Sequence, residues 1–158
     1  MKYSDYIKIL EENELHIHSD NIVYKHGQKN HNRPICNNDI LQDLVIKYQA
    51  GDITDKEYEL LGIMINTMTR IVLNNKKFRF QKDDTRNDVT GEAYLTVLTA
   101  LNKKLYDKDK GNAYSYIFRL CYTAGIHILE AENRQKEIVS SLVDTFNDMY
   151  DANIQKPE

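Results

Sequence analysis

The sequence lacks long hydrophobic runs, and its opening residues do not have the pattern of a signal peptide. Membrane-spanning helices need roughly 18 apolar residues or more, and no apolar stretch of the chain is that long. The opening segment MKYSDYIKILEENE has neither the apolar core nor the small-residue cleavage site of a signal peptide. We therefore expect a cytoplasmic protein that has no membrane partner.

Cysteine is scarce, and the common catalytic motifs are absent. Cys36 and Cys121 are too few for a disulfide framework and do not form a CxxC pair, so free thiols are expected. The sequence contains no GxxxxGK[ST], GxSxG or HExxH motif. It therefore predicts no catalytic residue, no cofactor and no enzyme activity.

Histidines are concentrated before Cys36, which raises the question of a zinc site. The residues concerned are His16, His18, His26 and His31. Their spacing matches no recognised zinc motif, so a polar linker is favoured and no metal site is predicted.

Proline is almost missing, since none occurs between Pro34 and Pro157, and no sustained period-two alternation is present. This pattern predicts an all-α fold, a compact helical bundle of about one domain. The expected elements are a helix from Tyr3 to about Asn13, a polar linker over 16–34, a helix from the cap at Asn38 to Gly51, a helix opened by the capping box TDKE at 54–57, a helix from about Asp88 to Leu101, and a helix from Asn112 to about Arg134.

Three parts of the chain are predicted from this pattern. Residues 1–34 form an N-terminal helix and linker, 35–137 form the helical domain, and 138–158 form an amphipathic C-terminal segment with a short helix. The helical domain should bury apolar stripes on its helices. In the third core helix these are Val89, Ala93, Val97, Ala100 and Leu101, and in the fourth they are Ile117, Leu120, Cys121, Ala124, Ile128 and Ala131.

Charge is distributed unevenly along the chain. Residues 76–119 carry 10 Lys and Arg against 6 Asp and Glu, whereas both flanking regions are acidic and the whole chain has a net charge of −3. Proteins that bind DNA through phosphate contacts alone usually have a large basic excess. We therefore expect any nucleic-acid contact to be local and to depend on a partner.

A second stripe on the fourth helix has a different character. It contains Tyr116, Arg119, Thr123, His127, Glu130 and Arg134. Such residues offer stacking planes, phosphate charge and hydrogen bonds to base edges. An ordinary solvated helix face is the alternative interpretation of the same stripe.

The segment DVTGEAYLTVLTALNKKLYDKDKGNAYSYIFRLCY resembles conserved region 2 of bacterial sigma factors. Asp88 and Glu92 match the acidic positions of that family's first motif, Tyr106 and Asp107 match its Phe-Asp pair, and Lys110–Gly111 match its basic turn. Four segments, NNDILQDLVIKYQ, LGIMINTMTRIVLNNKKFRF, GNAYSYIFRLCYTA and LVDTFNDMYD, are similar in order to the late-transcription sigma factors of T-even and related phages, including cyanophages.

The resemblance implies the fold of sigma factor domain 2 and a function in phage late transcription in the cytoplasm of an infected bacterium. The helix from Asp88 would bind the clamp helices of the largest subunit of the host RNA polymerase core. Asp88, Glu92 and Asn102 are the implied core-binding residues. Helix capping for Asp88 and solvation for Glu92 are the alternative roles.

The resemblance also implies that the aromatic helix recognises and melts an AT-rich minus-ten element of promoter DNA. The implied DNA-binding residues are Lys103, Lys104, Lys108, Lys110, Tyr114, Tyr116, Arg119, Thr123, His127 and Arg134. Unpaired bases would stack on aromatic rings while the lysines hold the backbone.

The sequence departs from the family at several points. Gly91 stands where the family has glutamine. The chain has no tryptophan, so the residue pair with which the family usually melts promoter DNA is absent. Because the segment after Arg134 is short, we expect no domain that reads a minus-thirty-five element, and we expect a promoter reduced to one AT-rich box. In the phage late system a coactivator and a sliding clamp supply the missing contacts. The resemblance therefore implies both as candidate partners of this protein.

A protein of another class would also fit the composition. A small helical regulatory or interaction protein could bind a protein partner through its acidic C-terminal helix and never contact DNA. Exposure of Tyr116, Arg119, Thr123 and His127 in one row favours promoter contact, whereas burial of that row favours this alternative.

Overall fold

The computed structural model describes residues 2–26, 34–75, 78 and 83–154, and over these it is mostly helical. Its elements are α1 (Tyr3–Glu12), β1 (Leu15–Ile17), β2 (Val23–Lys25), α2 (Asn38–Ala50), α3 (Asp55–Leu73), α4 (Asp83–Asn102) and α5 (Ala113–Ile154). The chain divides into two compact units, residues 1–125 and 126–158. The predicted helical fold class is confirmed at this coarse level, and one two-stranded sheet accompanies the helices.

Two short strands lie largely within the stretch 16–34 that the sequence predicted as an irregular linker, so the structure does not confirm the linker. β1 and β2 pair antiparallel, with His16 opposite Tyr24. Ile22, Val23 and Tyr24 are buried. The amide of Val23 donates to Oγ1 of buried Thr67 on α3 at 3.1 Å, which anchors the hairpin to the helical core. Gly27 and His31 lie outside the described residues.

The starts and ends of α2 and α3 follow local sequence signals. Asn37 caps α2, one residue before the predicted cap, and its side chain accepts hydrogen bonds from the amides of Asp39 and Ile40. Gly51 ends the helix with a φ of 74°. Glycine adopts this left-handed conformation without steric cost. The predicted capping box between Thr54 and Glu57 is present at the start of α3.

The core of the first unit contains the apolar faces of its helices. On α4 all the predicted inward residues are buried, namely Val89, Ala93, Val97, Ala100 and Leu101. On α5, Ile117, Cys121 and Ala124 are buried and Leu120 is half-buried. α4 begins at Asp83, before the predicted start, because polar residues without an apolar period can still extend a helix.

A buried ion pair connects α2 to α3. Nζ of Lys47 lies 2.9 Å from Oε1 of Glu57, whose side chain is almost fully buried. Lys47 also lies over the ring of Tyr6 from α1, and the Tyr6 hydroxyl donates to Asp43. The hydrogen bond from Lys47 is the main reason that the pKa of Glu57 is lowered, and the same bond raises the pKa of Lys47.

We expect Glu57→Gln to lower the free energy of unfolding by about 2 kcal/mol at pH 7, because Lys47 loses its charged partner. The lowered pKa stabilises the fold above the unfolded-state pKa of about 4.3, and this contribution disappears as pH falls through the folded pKa. The gap between wild type and variant should therefore narrow in acid. Urea unfolding at pH 7 and at acidic pH tests this, with the exposed Glu59→Gln as control. A gap independent of pH would contradict the assignment.

The fifth helix is longer than predicted and has a glycine at a close contact. α5 runs to Ile154, so the short separate C-terminal helix is not observed. At Gly125, an added Cβ would lie 2.6 Å from Cε1 of Phe78, which is buried. The glycine therefore makes room for the Phe78 ring. That ring also packs edge-on against Tyr122, with the ring centroids 5.3 Å apart.

The predicted apolar face of α5 continues only in part into the second unit. There Ile128 is half-buried and Ala131 is exposed. Ala131 was therefore wrongly placed in the core.

Among the described residues, no helix combines the length and apolar character that crossing a bilayer requires.

Candidate nucleic-acid interface at the turn between α4 and α5

The turn between α4 and α5, residues 103–112, is held by two glutamines of α2. Gln49 forms a reciprocal pair with the backbone of Tyr106: its Nε2 donates to the carbonyl at 2.9 Å, and its Oε1 accepts from the amide at 3.1 Å. Oε1 of Gln42 accepts from the Tyr106 hydroxyl at 3.1 Å and from the amide of Ala113 at 3.3 Å. Sequence reasoning missed both glutamines. Their shared helix face, two turns apart, was the available signal.

Tyr106 is the buried centre of the turn. Its hydroxyl also lies 3.0 Å from the carbonyl oxygen of Gly111, so its single hydrogen is shared between this oxygen and Oε1 of Gln42. Burial is the largest cause of its raised pKa, followed by the charge of Asp107. The resemblance paired these two residues, and both have structural roles here. Asp107 accepts from the amide of Asp109 at 2.9 Å and forms an ion pair of 3.8 Å with Lys110.

The four lysines assigned to DNA all lie in this turn and are exposed. They are Lys103, Lys104, Lys108 and Lys110. Lys104 adopts a φ of 54° and donates its amide to the carbonyl of Leu101, which closes the end of α4. Because the backbone of the turn is fixed by the glutamines, the lysines extend from a defined loop into solvent. Such an arrangement suits backbone phosphates.

A pocket of about 240 Å³ lies between this turn and the first turns of α5. Tyr106 and Tyr116 line it with their rings 5.3 Å apart, and Lys110 and Arg119 contribute its cations. Tyr116 is half-buried, and its pKa is raised by burial. The pocket therefore combines an aromatic surface with two cations, of which Lys110 is paired with the carboxylate of Asp107 in the same lining. An aromatic surface beside a cation such as Arg119 suits a stacked base and its phosphate.

Two asparagines fix the start of α5. Oδ1 of Asn112 accepts from the amide of Ser115 at 2.7 Å. This is the hydrogen bond that an N-cap residue makes. Oδ1 of Asn38, the residue predicted to cap α2, instead accepts from the amide of Tyr114 at 3.1 Å. The direction in which α5 leaves the turn is thus set partly by α2.

The predicted polar stripe of α5 is largely exposed. In the first unit, Arg119 and Thr123 are exposed, while Tyr116 is half-buried against Tyr106. In the second unit, the stripe residues His127, Glu130 and Arg134 are exposed. The side chain of Tyr116 is thus less exposed to solvent than its position on the helical wheel suggested.

Tyr114 does not lie with Tyr116. Two positions along a helix correspond to a rotation of about 200°, so Tyr114 lies on the opposite edge of α5. Its ring stacks on that of Phe118, with the ring centroids 6.3 Å apart, and Phe118 stacks on Tyr122, with the centroids 6.2 Å apart. This row of three aromatics was not predicted, although its four-residue spacing indicates neighbours on one helix face. The assignment of Tyr114 to DNA binding stays a prediction.

A second exposed surface runs along α4. Asp88, Glu92 and Leu95 follow the spacing of one helix face, and the side chain of Leu95 is 59% exposed. Asn102 is exposed at the end of the same face and accepts a hydrogen bond from the hydroxyl of Tyr48 on α2. The structure thus places the three predicted core-binding residues on one surface, which we call the α4 face.

A groove lies beside the α4 face. Its volume is about 640 Å³, and Gly62 of α3 and Gly91 of α4 line it together with Tyr58, Tyr94 and Leu95. Among the described residues, no atom lies within 4 Å of a Cβ added at Gly91. Gly91 therefore widens this groove.

The described residues contain no group of three or more His, Cys, Asp and Glu side chains arranged to hold a metal ion. His16 and His26 are close, with their rings 5.7 Å apart, whereas His31 lies outside the described residues. Burial raises the pKa of the Cys36 thiol to about 12, so this cysteine is protonated at neutral pH.

Compared with protein-family models, with curated proteins and with solved structures, the chain has no match.

Proposed function

We propose that the protein is an RNA polymerase sigma factor for phage late transcription, which binds the host core polymerase and melts an AT-rich minus-ten element. The observation that carries this proposal is the pocket that Tyr116 lines together with Lys110 and Arg119. An unpaired base needs an aromatic surface to replace its lost stacking, and its phosphate needs a nearby cation. The resemblance to sigma region 2 covers the same segment of the chain.

The exposed lysines of the turn support the same function. Lys103, Lys104 and Lys108 would contact the backbone of the strand whose base enters the pocket. The net charge of −3 indicates that these contacts alone give weak binding at physiological salt. The polymerase core therefore supplies most of the affinity for DNA, and the protein supplies the melting surface.

Core polymerase would bind the α4 face. Asp88 and Glu92 offer exposed carboxylates to a basic partner, and Leu95 offers an apolar centre beside them. The neighbouring groove, where Gly91 leaves space, could accept an apolar side chain of the clamp helices. This combination of a charged edge and an apolar centre is typical of protein interfaces.

We expect Glu92→Lys to weaken binding to core polymerase by about tenfold, because charge reversal at an interface places two cations together. Folding should be unaffected, since an exposed charge change rarely alters stability by more than about 0.5 kcal/mol. Competition binding to core polymerase measures the effect. Glu11→Lys, an exposed charge reversal on α1, is the matched control. Equal affinities of the two variants would argue against the α4 face.

A helical interaction protein that never contacts DNA is the second candidate. It is favoured by one specific observation, an exposed apolar face on residues 138–150 of α5. The two functions differ in what they require of Tyr116 and Arg119. A variant that loses only these side chains would fail in promoter melting and would remain intact as an interaction protein.

A further inference from the structure

The C-terminal part of α5 carries an apolar face that nothing covers among the described residues of the second unit. Its seven large side chains are each between 52% and 69% exposed, and they are Ile138, Val139, Leu142, Val143, Phe146, Met149 and Tyr150. At about 100° per residue they lie within about 140° of one another. Monomeric soluble proteins rarely expose a continuous apolar patch of this kind without an interaction.

The opposite side of the same helix is acidic. Its exposed carboxylates are Glu130, Glu137, Asp144, Asp148 and Asp151. They lie within about 60° of one another, and the centre of this stripe is roughly 180° from the centre of the apolar face. The acidic stripe would therefore point away from anything that covers the apolar face. Membrane-surface helices instead carry Lys and Arg on their polar side.

The borders of the apolar face are almost neutral. Ser141 and Thr145 lie on one side of it, and Lys136 and Asn147 lie on the other. Two copies of this helix can therefore meet face to face without bringing carboxylates together. The seven side chains also offer on the order of 800 Å² per helix, about what each partner buries in a standard specific interface.

Charge along the helix distinguishes the two ways of pairing. Residues 134–140 carry Arg134 and Lys136 against Glu137, whereas residues 144–151 carry three aspartates and no cation. In a parallel pair the acidic ends of both copies would lie at the same end of the dimer, although the aspartates themselves face outward. An antiparallel pair places the basic end of each helix beside the acidic end of the other.

We propose that residues 138–150 form an antiparallel, two-fold symmetric interface with a second copy of this chain. The symmetric contact pairs each position with one on the other helix, so that Ile138 of one copy lies near Tyr150 of the second. The interface requires no contribution from the turn between α4 and α5. Promoter melting and self-association can therefore be tested separately.

Sedimentation equilibrium of the full chain at physiological salt tests the pairing. The wild type should be a dimer in the micromolar range, and Leu142→Glu or Phe146→Glu should raise the dissociation constant about 30-fold or more. Both side chains are exposed in the isolated chain, so the variants should keep the wild-type circular dichroism spectrum. Ser140→Glu introduces the same charge outside the face and should leave the dimer intact.

A wild type that stays monomeric at high concentration would overturn the proposal, including a monomer that binds anionic vesicles or a different protein. Equal loss of the dimer in Ser140→Glu would overturn the assignment to this face.

Disulfide cross-linking tests the orientation. Chains carrying Ile138→Cys are mixed with chains carrying Tyr150→Cys, both in a Cys36→Ser background in which the remaining Cys121 is buried. Antiparallel pairing predicts mixed disulfides between positions 138 and 150, because the two Cα atoms must approach within about 7 Å. Disulfides that join position 138 mainly to itself would indicate a parallel pair and overturn the proposed geometry.

Discussion

Replacing Tyr116 with alanine should slow open-complex formation on a duplex promoter by roughly 5- to 150-fold, the effect of losing stacking worth about 1–3 kcal/mol for one base. The ring of Tyr116 lines the pocket beside Lys110 and Arg119, where a base removed from the duplex could stack. On a template whose minus-ten region is already mismatched, the same variant should transcribe nearly as well as wild type, because unpairing no longer contributes to the barrier.

Permanganate footprinting of thymines in both templates measures this difference. Tyr3→Ala, which removes a half-buried tyrosine from α1 outside the pocket, is the control for a general loss of packing. Equal thymine reactivity for wild type and Tyr116→Ala on the duplex promoter would mean that Tyr116 only packs against Tyr106. The polar stripe would then be an ordinary solvated helix face.

Replacing Tyr106 with alanine should lower the free energy of unfolding by about 3–5 kcal/mol, as is usual when a large buried aromatic is truncated. The variant loses the hydroxyl that bonds Gln42 and the carbonyl of Gly111, and it leaves a cavity beside Tyr116. This loss is a large part of the stability of a small domain. Urea unfolding of the full chain measures it.

Tyr106→Phe separates the two contributions. The ring remains, so only the hydroxyl bonds are lost and the cost should fall to about 1 kcal/mol. Gln42 keeps its bond to the amide of Ala113 in this variant. If phenylalanine cost as much as alanine, the hydrogen bonds rather than the packing would hold the turn, and if alanine cost nothing, the turn would not depend on Tyr106.

The core helices could be predicted from the sequence because their signals are local. Each signal involves residues that are close in the sequence: the capping box of Thr54 and Glu57, the left-handed Gly51, and the apolar spacing on α4. Such signals predict where a helix begins, ends and buries a face without knowledge of the rest of the fold. The N-terminal hairpin was missed because its anchor is not local. The amide of Val23 bonds Thr67, 44 residues away, and the surrounding polar residues hide the short apolar segment Ile22–Tyr24.

The candidate interface was predicted only in part, because some of its features depend on local sequence and others on contacts between distant segments. The lysines of the turn and the exposure of Arg119 follow from position and charge, which are visible in the sequence. The glutamines that hold the turn could not be found in this way. Gln42 and Gln49 look like solvated helix residues until α2 packs against a turn that lies 57 residues beyond Gln49 in the chain. The length of α5 was also underestimated, since good helix formers continue it after its buried face ends.

Transcription by the cognate core polymerase on a library of random duplex templates, with the 5′ ends of the transcripts sequenced, tests the central claim most directly. If the protein is a sigma factor, start sites should appear only when it is added, and they should share an AT-rich box at the minus-ten position. Tyr116→Ala should remove most of these starts, whereas Tyr3→Ala should keep them. The same start sites with and without the protein, or starts that share no upstream sequence, would contradict the account.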